Sequence, residues 1–410
     1  MAIIKLDVYI QFSKREELVG QLVLDGRNIL FKYSDAYLAK GGANLSPNQL
    51  KLDDTPQTTE EKPFKGLFGV FADSLPDAWG YLLIKKRLSA DRISITSLNS
   101  LDHLTFAGKN SLGAIQYRPS AESKQETTAI DLDKLNNSIS EVISGESSAI
   151  IDDMFRRGGS PGGARPKIYA GYNPKTNSII SGVANLPEEY EHWIIKFAAD
   201  IDSKDIANIE LAYYNMAIES GIEMSECRVF TSDAGNNYFG TKRFDRIGND
   251  KLHMLSAAAL LHDDYEHSTI DYGNLIYQAK KLTNNAQTAN QMFRRAVFNV
   301  LAHNRDDHSK NFAFLMDAKG TWSLAPAYDL TFSSSSQGYH STSCAKNYVD
   351  PGKKELMELA GALSINNANA TIDEIKSTIN DWRTYAELSG VSKTSTDTIE
   401  KSLNAIRSRS

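Results

Sequence analysis

The sequence predicts an α+β fold, with strands concentrated in the first part of the 410-residue chain and helices in the last part. Near the N-terminus apolar and polar residues alternate, which is typical of half-buried strands. Residues 253–304 and 353–408 instead carry apolar residues at helical spacing. We divide the chain into a β-rich segment 1–118, a linker and helix 119–150, a second β-rich segment 151–246, and a large helical segment 247–410.

The composition is that of an ordinary globular protein, with 41% hydrophobic and 23% charged residues. The net charge of −6 argues against an extended nucleic-acid surface on this chain. The two cysteines, Cys227 and Cys344, are far apart in sequence, which favours a reducing compartment. The first residues lack the apolar region of a signal peptide, and no window approaches 18 apolar residues. We therefore expect a cytoplasmic protein without a membrane partner.

The first 150 residues predict short strands followed by helices. Apolar residues alternate from Ile4 to Ile10, and Asp25-Gly26 lies between two further strand-like runs, as in a hairpin. Ser74 is a candidate N-cap, and Pro76 fits the first turn of a helix. A polar linker follows at 119–126. Five apolar residues then fall on one face of a predicted helix: Leu132, Leu135, Ile139, Val142 and Ile143.

A glycine-rich run, residues 156–167, precedes the central strands. Because glycine lacks a Cβ, backbone N–H groups in such a run can approach an anion. The strand predicted over 193–198 places Lys196 between apolar neighbours. A lysine there either lies along an edge or points into a cleft to bind an anion. A helix predicted over 205–220 carries Glu210, and a further hairpin is predicted over 229–245.

A helix, a polar loop, a hairpin and a second loop follow between residues 289 and 330. Apolar residues at helical spacing predict a buried helix over 289–302, and the polar run 303–311 ends it. A strand over 312–316 and a turn at 317–320 come next. The returning strand begins at Trp322 and leads to the second loop, which contains Tyr328 and Asp329.

The spacing of polar residues in these two loops is similar to that of protein kinases, which is one of three interpretations. Arg305-Asp306, four further residues and Asn311 match the kinase catalytic loop, and Asp329 follows where kinases place a magnesium ligand. Phosphoryl transfer needs a carboxylate near the attacking hydroxyl and oxygen ligands on a hard cation. Two other interpretations are open. One is a solvated helix end, and the other is a metal-hydrolase cluster of His303, Asp306, Asp307 and His308, although its ligand spacing is unusual.

Taken together, these segments resemble the HipA family of bacterial toxin serine/threonine kinases along nearly the whole chain. The matching stretches are Phe71–Asp77, Ser160–Lys167, Ile195–Phe197, Lys242–Arg246, Asp306–Phe312 and Leu324–Leu330. The resemblance implies a two-lobed kinase-like fold, with a β-rich N-lobe over 151–246 and an α-helical C-lobe over 247–410. The segment 1–118 would be the N-terminal subdomain of this family.

The resemblance also implies ATP and Mg²⁺ as cofactors. Asp306 would be the catalytic base, Asn311 and Asp329 the magnesium ligands, and Lys196, paired with Glu210, the contact to the α- and β-phosphates. Ser160 matches the serine that these kinases autophosphorylate. The remaining implied cofactor-binding residues are Gly162, Gly163, Ala164, Arg165, Pro166 and Lys167 over ATP, Lys242, Arg243 and Phe244 at the adenine, and His308 and Tyr328 nearby.

The partners implied are a DNA-binding, HipB-like antitoxin, with DNA contacted only through it, and a protein used in translation, such as an aminoacyl-tRNA synthetase.

In one departure from the family, Asp307 replaces a glycine. A second carboxylate beside the base could raise the pKa of Asp306 or draw the metal. Two other functions stay open: an inactive relative that acts in an antitoxin–DNA repressor complex, and a kinase for a small molecule.

Overall fold

The protein is described by a computed structural model that covers residues 3–121, 127–144, 165–199, 202–335 and 338–407. The chain divides into two compact units. The first comprises Met1–Ile201, Phe230–Leu255 and Leu315–Gly320, and the second Asp202–Val229, Ser256–Phe314 and Thr321–Ser410. The first unit therefore combines the N-terminal segment with strands from the predicted segment 151–246.

The N-terminal sheet of the first unit is antiparallel, with the order β3-β2-β1-β4. Its strands are β1 (Lys5–Gln11), β2 (Glu16–Asp25), β3 (Asn28–Tyr33) and β4 (Ile115–Arg118). Alternate residues of β1, namely Leu6, Val8 and Ile10, are buried, as the sequence predicts. Gly26 has a φ of +61° in the two-residue turn between β2 and β3, a conformation that glycine adopts without strain.

The second sheet of the first unit has five strands in the order β6-β5-β7-β9-β8. They are β5 (Lys167–Tyr172), β6 (Ile179–Ser181), β7 (Glu191–Lys196), β8 (Cys227–Thr231) and β9 (Asn237–Lys242). Trp193 of β7 is fully buried, and the rings of Tyr172 and Phe230 each meet it edge-on at 5.6 Å. Three shorter strands follow along the described chain: β10 (Arg246–Ile247), β11 (Asp250–Lys251) and β12 (His253–Ser256).

Among the described residues of the first unit, the helices are α1 (Asp35–Ala39), α2 (Gly69–Ala72), α3 (Ala78–Ala90), α4 (Ser100–Leu104) and α5 (Leu132–Ser144). Four residues of the face predicted for α5 pack into the same core as Trp193, namely Leu132, Leu135, Ile139 and Val142. The placement of Ile143 on that face is wrong, because its side chain is exposed to solvent. The predicted start of the helix near Ser74 is wrong, because the chain first forms the separate short helix α2 and α3 then begins after Asp77. The hydroxyl of Ser74 instead lies 2.9 Å from the hydroxyl of Tyr117, from which it accepts a hydrogen bond.

The second unit is mainly helical. It contains α6 (Ile206–Glu219), α7 (Ala257–Leu261), α8 (Tyr272–Thr283), α9 (Ala286–Leu301), α10 (Lys353–Leu363), α11 (Ala368–Asn380), α12 (Trp382–Leu388) and α13 (Lys393–Arg407). The side chain of Asn285 caps α9 by accepting from the N–H of Gln287, and every apolar residue of the predicted inner face is buried. In the part of the chain that the structure describes, no helix is long and apolar enough to cross a bilayer.

The predicted hairpin follows α9 as β13 (Ala313–Met316) and β14 (Trp322–Leu324). Its turn is closed by a hydrogen bond from the N–H of Gly320 to the carbonyl of Asp317, with Gly320 at a φ of +80°. The N–H of Ala325 donates to the carbonyl of Ala313 at 3.0 Å. All residues of β13 are buried, so this strand packs on both of its faces.

Candidate active site

The loop that carries the predicted base begins where α9 ends. Tyr213 donates from its hydroxyl to the carbonyl of Ala302 at 2.8 Å, just past the last residue of the helix. His303 then takes a left-handed conformation, with a φ of +55°, which stops the helix. The side chain of Asn304 donates to Asn299 of α9 at 2.9 Å. Residues 305–311 therefore leave a fixed helix end, and a short 3₁₀ turn, Ser309–Asn311, closes the loop.

The side chain of Asp306 faces solvent, with 55% of its surface exposed. The ring of His308 lies beside it, with Nε2 3.7 Å from Oδ1 of Asp306. The ring of His308 lies 5.6 Å from that of Tyr265. The side-chain nitrogen of Asn311 donates to the carbonyl of Asp306 at 2.8 Å. The predicted base is thus accessible, while its backbone is tied to the predicted metal ligand.

The carboxylate of Asp307 points into the second unit and is fully buried. Oδ1 accepts from the backbone N–H groups of Ser341 and Thr342 at 2.7 and 3.2 Å. Oδ2 lies 2.6 Å from the hydroxyl of Tyr272, which donates to it, and 2.9 Å from Nδ1 of His340. A carboxylate has about four acceptor positions, and these partners fill them. These contacts lie within the second unit, and an effect of Asp307 on Asp306 or on a metal stays a prediction.

The second predicted loop is held close to the first. The hydroxyl of Tyr328 donates to the carbonyl of Lys310 at 2.7 Å, which joins the residue before Asp329 to the residue before Asn311. Asp329 has a φ of +52°, a left-handed conformation that aspartate tolerates better than most residues. The structure thus brings together the two loops that carry the predicted magnesium ligands.

Two further contacts fix the start of this second loop. The buried Arg295 of α9 donates to the carbonyl of Ala325 at 2.7 Å, and the N–H of Ala327 donates to the carbonyl of Glu223 at 2.7 Å. Burial lowers the pKa of the Arg295 guanidinium to about 10, so the side chain stays charged at neutral pH. Residues 325–327 are therefore anchored from outside the hairpin.

The donor set of Asn311 and Asp329 fits a magnesium ion, because amide and carboxylate oxygens are the ligands that hard cations prefer. The side-chain nitrogen of Asn311 is turned to Asp306, which leaves its oxygen as the atom for a cation. The alternative metal-hydrolase cluster does not form, since His303 lies 3.2 Å from the carbonyl of Ser333 and Asp307 is engaged as described. Among the described residues, no group of three or more His, Cys, Asp or Glu side chains is placed to hold a metal.

The predicted phosphate-binding residues lie in the first unit. Lys196 is the last residue of β7, with its ammonium 5.2 Å from the centre of the Phe239 ring, and it pairs across the sheet with Lys167. The N–H of Phe197 donates to the carbonyl of Pro166, so Arg165, Pro166 and Lys167 lead directly into this sheet. Ser160, Gly162, Gly163 and Ala164 lie outside the described residues.

Glu210 lies in the second unit, buried within α6. Its predicted ion pair with Lys196 of the first unit stays a prediction. The two loops that carry Asp306 and Asp329 also belong to the second unit.

The three residues predicted at the adenine differ in what they contact. The ammonium of Lys242 lies 2.6 Å from Glu191 in a half-exposed ion pair, and Phe244 is half-buried. All five N–H donors of the buried Arg243 side chain are used by Asp245, Asn110 and Ser111. The side chain of Arg243 therefore has no donor left for a nucleotide and joins residues 110–111 to the end of β9.

The sequence interpretation missed the residues that hold the Asp306 loop in place. Tyr272, His340 and Thr342 surround Asp307, and Asp263 accepts a hydrogen bond from the hydroxyl of Ser309. These partners lie between 33 and 46 residues away along the chain. No local spacing identifies such contacts, because they depend on how the helices pack.

Family models identify both parts of the chain. Residues 7–118 match the HipA N-terminal domain, and residues 159–383 match the HipA-like C-terminal domain. The protein therefore belongs to the HipA family, as the sequence motifs predict. A comparison with curated protein sequences gives no significant match.

Among solved structures, the chain is similar to HipA from the Shewanella oneidensis MR-1 HipA, HipB and operator DNA complex. The two are 16% identical, with a TM-score of 0.68 over 98% of this chain and 96% of that chain. They share a fold, so the predicted α+β fold of this family is confirmed. A second match, the Helicobacter pylori proinflammatory kinase CtkA, is 12% identical over 51% of this chain and 92% of that chain, and its TM-score of 0.33 is too low to support an argument.

Proposed function

We propose that this protein is an ATP- and Mg²⁺-dependent protein kinase that transfers phosphate to a serine or threonine hydroxyl. The observation that supports this most is that hydrogen bonds link the loop of Asp306 to the loop of Asp329. Asn311 is bonded to the backbone of Asp306, and Tyr328, the neighbour of Asp329, is bonded to the backbone of Lys310. A carboxylate for the acceptor and two oxygen ligands for a cation are thereby held in one part of the second unit.

Asp306 would orient the acceptor hydroxyl and accept its proton, since its carboxylate is exposed enough for a protein side chain to reach it. Asn311 and Asp329 would hold Mg²⁺, which when bound supplies positive charge against the phosphate oxygens. Lys196 and residues 165–167 would bind the phosphates of ATP, with Glu210 orienting the lysine, and Lys242 and Phe244 would contact the base. Catalysis would come mainly from positioning and charge stabilisation.

The biological role that we propose is that of a toxin that phosphorylates a component of translation. A DNA-binding antitoxin would be its partner, and DNA would be contacted through that partner. The support is membership of the HipA family, together with the similarity to Shewanella oneidensis HipA, which belongs to a toxin–antitoxin system with HipB and operator DNA. Support of this kind comes from the family and not from a surface on this chain.

Phosphate transfer can be tested directly. The purified protein is incubated with Mg·ATP and cell extract, and phosphopeptides are measured by mass spectrometry. We expect new phosphoserine or phosphothreonine on a protein, a loss of about 100-fold or more in transfer by Asp306→Ala, and nearly unchanged nucleotide binding by that variant. The matched control is Asp397→Ala, which removes an exposed carboxylate paired with Arg383 at 2.8 Å and should keep full activity.

The same experiment separates the alternatives. Phosphate on a small molecule and on no protein would assign a small-molecule kinase. No transfer by wild type, together with binding of the antitoxin, would assign an inactive binding module. Wild-type transfer rates in Asp306→Ala would show that Asp306 is not the base.

The toxin role has its own test, growth after induced expression. Wild type should arrest growth and Asp306→Ala should not. Equal arrest by both would show that harm comes from binding or from overexpression.

A further inference from the structure

Residues 338–350 follow the Asp329 loop and lie directly against the loop that carries Asp306. The hydroxyl of Ser341 donates to the carbonyl of Arg305, and the hydroxyl of Thr342 donates to the carbonyl of Asp307 at 2.5 Å. The guanidinium of Arg305 contacts the carbonyl of Gly338 and the carboxylate of Asp350. Segment 338–350 is thus bonded to the loop at both of its ends and in its middle.

The centre of these contacts is the carboxylate of Asp307. It accepts both backbone N–H groups of Ser341 and Thr342 and contacts the ring nitrogen of His340, which are three consecutive residues of the segment. Thr342 and the Asp307 side chain are fully buried. A buried carboxylate is stable only when its oxygens are hydrogen-bonded, and here the segment supplies most of its donors.

The other face of the segment is anchored to α8. The carboxylate of Asp271, the N-cap of that helix, accepts from the hydroxyl of Ser343 at 2.6 Å and from the N–H of Lys346 at 2.9 Å. Tyr272 donates from its own N–H to the carbonyl of Ser343 and from its hydroxyl to Asp307. The segment therefore lies between the N-terminus of α8 and the Asp306 loop.

We infer that Asp307 is a positioning residue that fixes segment 338–350 against the Asp306 loop, so that the segment is ordered without a phosphate. In many protein kinases the segment after the magnesium-binding aspartate becomes ordered only when a phosphorylated side chain pairs with arginine. Here a carboxylate from the catalytic loop itself provides the acceptor oxygens. The comparison with kinases rests on the proposed function, whereas the ordering of the segment does not.

The ordering is tested by hydrogen exchange on protein that has been treated with phosphatase and shown by mass spectrometry to be unphosphorylated. In wild type, the amides of Ser341 and Thr342 should be protected. In Asp307→Ala their exchange should rise by about tenfold or more, because each loses a hydrogen bond to a charged acceptor. Protection that appears in wild type only after incubation with ATP would overturn the inference, and so would equal exchange in the two proteins.

Two variants keep the test decisive if Asp307→Ala does not fold. Asp307→Asn keeps one acceptor oxygen and the shape of the side chain, and it should give an intermediate exchange rate at the same two amides. Tyr272→Phe removes a donor to the same carboxylate while leaving both segment amides bonded. Tyr272→Phe should therefore lower the melting temperature but keep the protection of Ser341 and Thr342. Loss of protection in Tyr272→Phe, or wild-type protection in Asp307→Asn and Asp307→Ala alike, would contradict a specific role for Asp307.

A kinetic measurement completes the test where wild type transfers phosphate. Asp307→Asn should lower kcat more than it changes KM for ATP, because the proposed nucleotide contacts are made by other residues. A change in KM alone would contradict the positioning role. Absence of transfer by wild type would defeat the proposed function, while the exchange result would still decide whether Asp307 orders the segment.

Discussion

The side-chain nitrogen of Asn311 lies 2.8 Å from the carbonyl oxygen of Asp306, so one amide both closes the loop and directs its oxygen away from it. If this oxygen binds Mg²⁺, Asn311 has two separable roles. Its nitrogen shapes the loop of the base, and its oxygen belongs to the metal site.

Replacing Asn311 tests these two roles. Asn311→Asp keeps an oxygen ligand but loses the N–H donor, so we expect Mg²⁺-dependent nucleotide binding to remain while transfer falls by about tenfold or more. Asn311→Ala removes both groups and should weaken binding as well. Calorimetry with and without magnesium, combined with initial rates, gives both quantities. Equal losses of binding in the two variants would argue that the amide acts only as a ligand.

The backbone of Asp329 determines how its proposed metal role should be tested. Alanine at a φ of +52° is strained, so Asp329→Ala would lose both the carboxylate and backbone stability. Asparagine tolerates this conformation, so Asp329→Asn removes only the charge. We expect Asp329→Asn to weaken nucleotide binding by about tenfold in the presence of Mg²⁺ and to change it little in EDTA. Unchanged affinity with magnesium present would refute the ligand assignment.

Ser160 can be tested independently of its geometry, which lies outside the described residues. A phosphate there would add a charge of roughly −1.5 to −2 and three acceptor oxygens, and three arginines, Arg156, Arg157 and Arg165, are close in sequence. After incubation with Mg·ATP we expect phosphate on Ser160 in wild type and none in Asp306→Ala. The phosphorylated form should bind ATP more weakly. Wild-type ATP affinity in Ser160→Asp would count against self-inactivation.

The sequence predicts much of this fold because its strongest signals are local. The hairpin turn at Gly26, the buried face of α9 and the turn at Gly320 each depend on residues within a few positions of one another. The predicted start of α3 is wrong because the hydroxyl of Ser74, which could cap a helix, instead accepts a hydrogen bond from Tyr117, a residue 43 positions away.

The candidate site divides in the same way. The types and order of Asp306, Asn311 and Asp329 can be read from spacing. The burial of the Asp307 side chain cannot be read from spacing, because its hydrogen-bond donors are brought near it only when the chain folds.

A buried histidine should make the first unit less stable below neutral pH. Burial lowers the pKa of His253 to about 4, while an unfolded histidine titrates near 6.5. Because the folded pKa is the lower one, protonation favours the unfolded chain, and stability falls as pH decreases from about 6.5 to about 4. The loss at pH 5 should be about 2 kcal/mol for this residue.

Urea denaturation at pH 7 and pH 5, followed by tryptophan fluorescence, to which the buried Trp79 and Trp193 of this unit contribute, measures this loss. His253→Gln keeps a donor for the carbonyl of Leu45, which lies 3.0 Å from Nε2 of His253, and removes the titrating group. The difference between the two pH values should shrink in His253→Gln. A difference as large as that of wild type would show that other groups cause the pH dependence.

The last prediction concerns Arg243, whose sequence position suggests the adenine but whose side chain is bonded elsewhere. Asp245 accepts from Arg243 at 2.7 and 2.9 Å, from Arg246 at 2.6 Å, and from the N–H of Gly113 at 2.7 Å. These cations hold the pKa of Asp245 well below its ordinary value despite burial, so the network stays charged at neutral pH.

Removing one member of this network leaves a buried charge without its partner, which costs about 3–5 kcal/mol. Arg243→Lys cannot replace the five fixed donors, and it should lower stability by a large part of that amount. ATP affinity, measured at a temperature where the variant is folded, should stay within about threefold of wild type, because no guanidinium donor is left for a nucleotide. Lys242→Ala is the matched comparison, since it removes a half-exposed ion pair with little cost in stability and should weaken ATP binding if this strand end contacts the base. A large loss of ATP affinity in a folded Arg243→Lys protein, with an unchanged free energy of unfolding, would show that Arg243 does contact the nucleotide.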